Sequence, residues 1–149
     1  MKYIAYGSNM VESQMARRCP NATLIGMGYL PNHRLEFYLH ATVERTQAKG
    51  ARVPVAVWEI DDEDEGSLDR YEGVPTYYTK QKRKVIMNDG SEIYGMVYIM
   101  KMIRPAPPQA RYYDAIADAY ADLGIADQIP LVLEPALERS KKRHWFSLR

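Results

Sequence analysis

Tyr6-Gly7-Ser8-Asn9-Met10 follows the strand-like run Lys2-Tyr3-Ile4-Ala5 and leads into a helix expected from Met10 to about Arg18. A strand that passes through a Gly-Ser-Asn turn into a helix brings backbone N–H groups to one point. Gly7 suits a tight turn and a close ligand approach, and Ser8 or Asn9 suits the helix cap. The first N–H groups of a helix have no partner inside it, so such a turn holds an anion or a polar carbonyl oxygen. A second chemical candidate lies in Leu68-Asp69-Arg70-Tyr71-Glu72-Gly73-Val74-Pro75. Glu72 is expected at a helix C-terminus, stopped by Gly73. The negative end of the helix dipole disfavours its ionised form and raises its pKa. That is the property a carboxyl needs to take and return a proton near neutrality.

Other residue patterns carry less. Asp61, Glu63, Glu65, Gly66, Ser67, Asp69 and Glu72 have the spacing of a calcium loop. Glu stands where shorter Asp or Asn is usual, and a strand rather than a helix precedes it, so the calcium reading is set aside. Cys19 has no nucleophile motif around it, although His33 or His40 could serve as base. The three histidines lack the spacing of a zinc site. No metal and no cofactor is expected.

The elements that would position these residues follow from periodicity and turn signals. Strands are expected over Thr23–Leu30 and Arg34–His40, around the turn Pro31-Asn32, with Ala41–Glu44 continuing the sheet and a loop over Gln47–Arg52. Val53–Ile60 is almost wholly apolar and contains Trp58, which marks an interior strand with Pro54 near its start. Asp61 and Asp62 suit the cap of the next helix, which should run to about Tyr71. Tyr77–Met87 and Ser91–Met100 form a hairpin through Asn88-Asp89-Gly90. Both faces of the second of these strands are largely apolar, so it should be well buried. Arg104-Pro105-Ala106-Pro107-Pro108 is a stiff connector. Gln109–Leu123 has Tyr112, Ile116, Ala119, Tyr120 and Leu123 at helical spacing and ends at Gly124. Leu131–Glu138 is a shorter helical stretch interrupted by Pro135. Many strands and few helices lack the βαβ alternation of a doubly wound sheet and point to an α+β fold around a strongly curved sheet.

At 149 residues the chain is expected to be a single domain, 1–149, with residues 139–149 a basic C-terminal tail. Twenty basic against nineteen acidic residues, a net charge of +1, give no support to nucleic acid as the main partner. The Lys141-Lys142-Arg143 run followed by Trp145-Phe146 could meet RNA, but a solvated or docked tail is the simpler reading. One cysteine excludes an internal disulfide and fits a reducing compartment. No apolar run approaches the ~20 residues of a membrane span, and a strand starting at Lys2 leaves no room for a signal peptide. These features point to a cytoplasmic protein. Twelve Tyr against two Phe suit a ligand cavity, since tyrosine combines apolar area with a polar tip.

Taken together, YGSN near the N-terminus, a strand with a Trp near its end, Leu68-Asp69 followed by Glu72-Gly73-Val74, and Ala106-Pro107-Pro108 before Tyr112 resemble the γ-glutamylcyclotransferase family, also called AIG2-like. The resemblance runs from Tyr3 to about Gly124. It implies a small mixed β-barrel flanked by helices, and an enzyme that cyclises the γ-glutamyl group of a small γ-glutamyl amide to 5-oxoproline with release of an amine or amino acid. This is an intramolecular aminolysis with amide C–N cleavage, of the transferase or lyase type. It implies Glu72 as general acid/base and Tyr6, Gly7, Ser8, Asn9 and Met10 as the loop lining the γ-glutamyl pocket, holding either the α-carboxylate or the oxyanion. Tyr78, or Tyr77 by a one-residue shift, and Tyr112 are implied as further substrate contacts. The partner is a small γ-glutamyl substrate, with no nucleic acid and no membrane, and a homodimer left open. A non-catalytic binding or regulatory protein on the same fold is the alternative. So is a cyclotransferase for γ-glutamylamines or for a γ-glutamyl biosynthetic intermediate.

Overall fold

The interior strand expected around Trp58 is the backbone of the molecule. In the computed structural model, which describes residues 1–148, β5 (Arg52–Glu59) pairs antiparallel with β1 (Lys2–Ala5) on one side and β2 (Thr23–Pro31) on the other. Its residues Val53 to Trp58 are all buried. Hydrophobic burial on both faces is what a near-continuous apolar run requires. β2 also pairs with β6 (Tyr78–Met87), β6 forms a hairpin with β7 (Glu92–Met100), and β7 runs parallel to β1. The order β1-β5-β2-β6-β7 closes into a mixed five-stranded barrel. The α+β barrel with flanking helices is therefore the observed fold.

Two strands leave the barrel. β3 (His33–Tyr38) and β4 (His40–Arg45) form their own hairpin, turning at Leu39 with φ of 67°. The expectation that this segment continues the main sheet fails. Hydrogen bonds to the barrel and to the proline connector help to dock the hairpin. Thr42 Oγ1 accepts from the Met100 N–H at 2.9 Å, and the Leu39 N–H donates to the Ala106 carbonyl at 2.7 Å. The stiff proline connector thus anchors the hairpin tip. β7 is less buried than its apolar pattern suggests, because Tyr94 stands out in solvent at its start.

The helices follow local chemistry closely. α1 spans Glu12–Arg18, two residues later than expected, because Ser8–Met10 forms a separate 3₁₀ turn. α2 spans Asp62–Glu72, and Asp61 caps it by accepting from the Asp64 N–H at 2.8 Å. This segment is helical and not a calcium loop. α3 spans Ala110–Asp122, and Gly124 takes the left-handed conformation just beyond it. Pro135 does not interrupt the last helix but opens it. A π-helical turn, Ile129–Leu133, passes directly into α4 (Glu134–Ser147), where proline is tolerated in the first turn.

The basic tail belongs to α4 as far as Ser147, and Leu148 caps it; Arg149 lies outside the described residues. The α4 side chains Arg139 and Arg143 reach the fully buried Glu36 of β3, each at 2.8 Å, and Arg34 completes the cluster at 2.7 Å. Arg139 also donates to the Leu35 carbonyl, and Arg143 to that of Phe37. A buried carboxylate left short of its cations is costly. A chain ending at Glu138 is therefore expected to lose about 2 kcal/mol or more of stability, since Glu36 keeps only Arg34. Urea unfolding of the truncated and full chains measures this; a tail that merely sits in solvent would leave the midpoint unchanged.

Candidate functional site

Glu72 is the last residue of α2, and Gly73 ends the helix with φ of 67°. The Gly73 N–H returns to the Arg70 carbonyl and the Val74 N–H to that of Asp69. This left-handed stop is natural to glycine, and a side chain there would also run into the Tyr77 ring. The turn directs Glu72 into a cavity of about 250 Å³ at one end of the barrel. The N-terminal loop contributes to the same cavity, with Gly7, Ser8 and Asn9 all lining it.

Among the described residues, no hydrogen bond or ion pair engages the Glu72 carboxyl. Burial pushes it from its ordinary 4.5 up to about 7, and the only opposing influence of note is the positive charge of Arg18. The elevation was expected from the helix dipole, but desolvation is its leading cause.

The 3₁₀ turn meets only part of the expectation for the loop. Inside such a turn the N–H groups of Ser8 and Asn9 have no acceptor, and both residues line the cavity. Met10 does not. It is buried in the core, and its N–H already donates to the Gly7 carbonyl at 3.1 Å. Ser8 and Asn9 do not cap α1 either, since Val11 occupies the cap position without a side-chain bond. Gly7 has φ of −123°, and a side chain there would make only ordinary contact with Ile116. The expected tight turn is present, closed by the Met10 N–H on the Gly7 carbonyl, but it does not need the conformational freedom of glycine. The Asn9 side chain faces away from the role of cap: its Nδ2 donates to the Tyr3 hydroxyl at 3.0 Å, and its Oδ1 accepts from Arg18 Nη1 at 2.7 Å. Trp58 of β5 fixes the same residue from behind, its Nε1 donating to the Asn9 carbonyl at 3.0 Å.

Tyr6, Tyr78 and Tyr112 all line the cavity and meet at one peptide unit. The Ala41 carbonyl accepts from the Tyr78 hydroxyl at 2.7 Å and from that of Tyr6 at 3.4 Å. The Ala41 N–H donates to the Tyr112 hydroxyl at 3.0 Å. The single Tyr6 hydroxyl proton goes chiefly to the Tyr98 carbonyl at 2.7 Å, which leaves its longer contact with Ala41 the weaker branch. Of the two candidate positions after Gly73, Tyr78 is the buried one and Tyr77 stands about half exposed. Burial, with the Glu72 charge adding, drives all three phenols above their ordinary range, so they remain protonated. His40, packed edge-on against Tyr112, is lowered by burial and by Arg104. The cavity therefore presents one carboxyl, neutral phenols, free backbone donors and one permanent cation.

Several wall residues escape sequence reasoning. Tyr3, Tyr98, Arg18, His40, Ala41 and Tyr71 also line the cavity. Arg18 carries the nearest thing to a signal, as a basic residue in the last turn of the helix that follows the loop. Ala41 acts through its backbone and offers none. Cys19 and the three histidines do not join in a cluster; among the described residues no three His, Cys, Asp or Glu side chains are grouped to hold a metal ion.

A family model described as gamma-glutamyl cyclotransferase, AIG2-like, matches residues 3–118. The chain belongs to this family. It is 28% identical over 134 residues to the human protein named gamma-glutamylcyclotransferase, covering 83% of this chain and 71% of that one. The mouse protein of the same name is also 28% identical, over 137 residues, with 85% and 73% covered. A solved structure named gamma-glutamyl cyclotransferase superposes with a TM-score of 0.77 at 26% identity, covering 89% of this chain and 87% of that chain. Both the family and the barrel fold inferred from the sequence are thereby shown.

The elevated Glu72 carboxyl has a consequence for stability that needs no substrate. A carboxyl whose folded pKa is raised contributes stability fully below about 4.5, and that contribution is lost as the pH rises through about 7. The whole change amounts to at most about 3 kcal/mol. Glu72→Gln lacks this dependence. Its melting temperature is expected to gain on the wild type by several degrees between pH 4.5 and pH 8, which thermal unfolding at the two pH values measures. A constant difference would mean that Glu72 titrates normally.

Proposed function

We propose that the protein is a cyclotransferase acting on a small γ-glutamyl amide, releasing 5-oxoproline and the free amine or amino acid. The observation that carries this reading is Glu72: a hydrogen-bond-free carboxyl raised to about 7, in a small cavity that Ser8 and Asn9, with their free N–H groups, also line. The family and the names of its relatives support the same chemistry.

The reaction needs no enzyme nucleophile. The γ-glutamyl chain folds back so that its α-amino group approaches its own γ-carbonyl carbon. A cavity of about 250 Å³ walled by rigidly bonded tyrosines suits a folded chain better than an extended one, and such orientation contributes several kcal/mol to lowering a barrier. The Glu72 carboxylate accepts a proton from the α-ammonium. The amine then attacks, a new C–N bond forms, and negative charge develops on the carbonyl oxygen. Backbone donors aimed at that oxygen stabilise it, and the Ser8 and Asn9 N–H groups are suited to this. Glu72 returns its proton to the departing nitrogen as the old C–N bond breaks. It then takes the surplus proton from the ring nitrogen and relays it, so the amine leaves as its ammonium form. A carboxyl near pKa 7 serves both directions at neutral pH. The neutral phenols of Tyr6, Tyr78 and Tyr112 line the path without competing as acids.

Glu72→Gln is expected to stay folded and bind 5-oxoproline while losing turnover by ~10²–10⁴-fold, the usual worth of general acid–base catalysis. In the wild type, kcat/KM should climb with pH up to about 7 as the carboxyl ionises. Asp69, whose Oδ1 accepts from the Tyr98 hydroxyl at 2.7 Å while Oδ2 pairs with Lys80, has a structural role. Asp69→Asn should cost less turnover than Glu72→Gln. The assay is 5-oxoproline release from a panel of γ-glutamyl amides with parallel ligand titration. Near-normal turnover in folded Glu72→Gln would rule out Glu72 as the base. A wild type that binds 5-oxoproline but turns over no member of the panel would favour a binding protein.

A further inference from the structure

The cavity holds one guanidinium, and nothing in the proposed proton transfers uses it. Arg18 ends α1 and lines the cavity beside Glu72. Its Nη1 donates to Asn9 Oδ1 at 2.7 Å, and its guanidinium carbon sits 3.6 Å from the centre of the Tyr71 ring. Asn9 cannot turn freely, because its Nδ2 is committed to Tyr3 and its carbonyl to Trp58. The chain Tyr3–Asn9–Arg18, with Tyr71 as a stacking plate, thus fixes the fork in one orientation. A guanidinium has five N–H donors, and Asn9 takes one. Among the described residues no carboxylate forms an ion pair with Arg18. A half-buried, rigidly held cation with open donors is a receptor for a planar anion.

We infer that Arg18 binds the α-carboxylate of the glutamyl end of the substrate, leaving the Ser8 and Asn9 N–H groups for the γ-carbonyl oxygen. This rests on the cyclotransferase reading, and it assigns separate receptors to two groups that the loop alone leaves indistinguishable. Charge complementarity at one carbon favours this placement. The α-carbon carries both an ammonium and a carboxylate. The cavity carries one carboxyl and one permanent cation, close enough for each to feel the other's charge. An ammonium delivered to Glu72 brings its carboxylate toward Arg18. Without a cation there, that carboxylate would sit against Glu72 in a poorly solvated site, where like charges repel strongly. The carboxylate of a leaving amino acid lies on the far side of the γ-carbonyl and is the competing source of the same chemistry.

The test compares 5-oxoproline with 2-pyrrolidinone, the same lactam without its carboxylate, titrated by NMR into wild type, Arg18→Gln and Arg18→Lys. The wild type should bind 5-oxoproline at least about tenfold more tightly than 2-pyrrolidinone. Arg18→Gln should weaken 5-oxoproline by roughly 10- to 100-fold and leave 2-pyrrolidinone within about threefold. Arg18→Lys, which keeps the charge but not the fork, should fall between. Equal weakening of both lactams would overturn the assignment and make Arg18 structural, as would a wild type that does not distinguish them. A kinetic arm separates the two carboxylates. Arg18→Gln should raise KM similarly for γ-glutamyl methylamide and γ-glutamylalanine; a rise confined to γ-glutamylalanine would move Arg18 to the leaving group and overturn the assignment. Arg18-dependent binding of 5-oxoproline by a wild type that releases none would uphold Arg18 while overturning the enzymatic reading.

Discussion

One peptide unit, that of Ala41, holds the cavity together. Its carbonyl takes the hydroxyl of Tyr78, with that of Tyr6 in longer contact while bonded to the Tyr98 carbonyl, and its N–H meets the hydroxyl of Tyr112. These three tyrosines come from three separate parts of the chain: the start of β6, the exit of β1 and the first turn of α3. Buried phenols and buried peptide groups must find partners or cost free energy. Here they satisfy one another, so the walls from β1, β6 and α3 are fixed relative to a single point. That point does not belong to the barrel. It lies on the β3–β4 hairpin, so the site is complete only when the hairpin is docked.

Docking of the hairpin explains features otherwise remote from the chemistry. The Thr42 hydroxyl clips β4 to the end of β7, and the Ala106 carbonyl clips the hairpin turn to the proline connector. Glu36, wholly buried on β3, gathers Arg34, Arg139 and Arg143. Replacing such a cluster by apolar residues can be neutral or favourable, so its presence is weak evidence for stability as such. Its geometric effect is definite, because it ties α4 to the strand next to the one that carries Ala41. The polar interior has a second organising pair in Glu72 and Arg18. Burial presses Glu72 toward its neutral form, and Arg18 draws it back. The balance leaves the carboxyl near neutrality, while the surrounding phenols stay protonated.

What was legible in the sequence follows from how local each signal is. The apolar run of β5, the Asp61 cap, the Gly73 stop and the Asn88-Asp89-Gly90 hairpin are decided within a few residues. Glu72 could be placed at a helix end because the helix stop is local, whereas its choice as the acid/base rests on the family resemblance. The failures are tertiary. The Thr23–Glu44 segment reads as one continuous sheet, because alternation does not reveal that β2 joins the barrel while β3 and β4 leave it. Met10 looks equivalent to its neighbours in the loop, yet a one-turn 3₁₀ helix rotates it into the core. The basic run at the C-terminus reads as a solvated or docked tail, and docking is what occurs; the choice is not legible locally, because its partner Glu36 lies more than a hundred residues away in sequence. Ala41 has no side-chain chemistry to notice. Asn9 has, but its function as the orienting partner of Arg18 depends on α1 folding back beside the turn.

The central claim is that a folded-back γ-glutamyl chain lies between Glu72 and the Ser8–Asn9 turn. The most direct measurement is a crystal structure of the protein soaked with 5-oxoproline. The account predicts the lactam in the tyrosine-walled cavity, its ring nitrogen toward Glu72, its carbonyl oxygen on the Ser8 and Asn9 N–H groups and its carboxylate on Arg18. A lactam bound with its ring nitrogen turned away from Glu72, or bound outside this cavity, would contradict it.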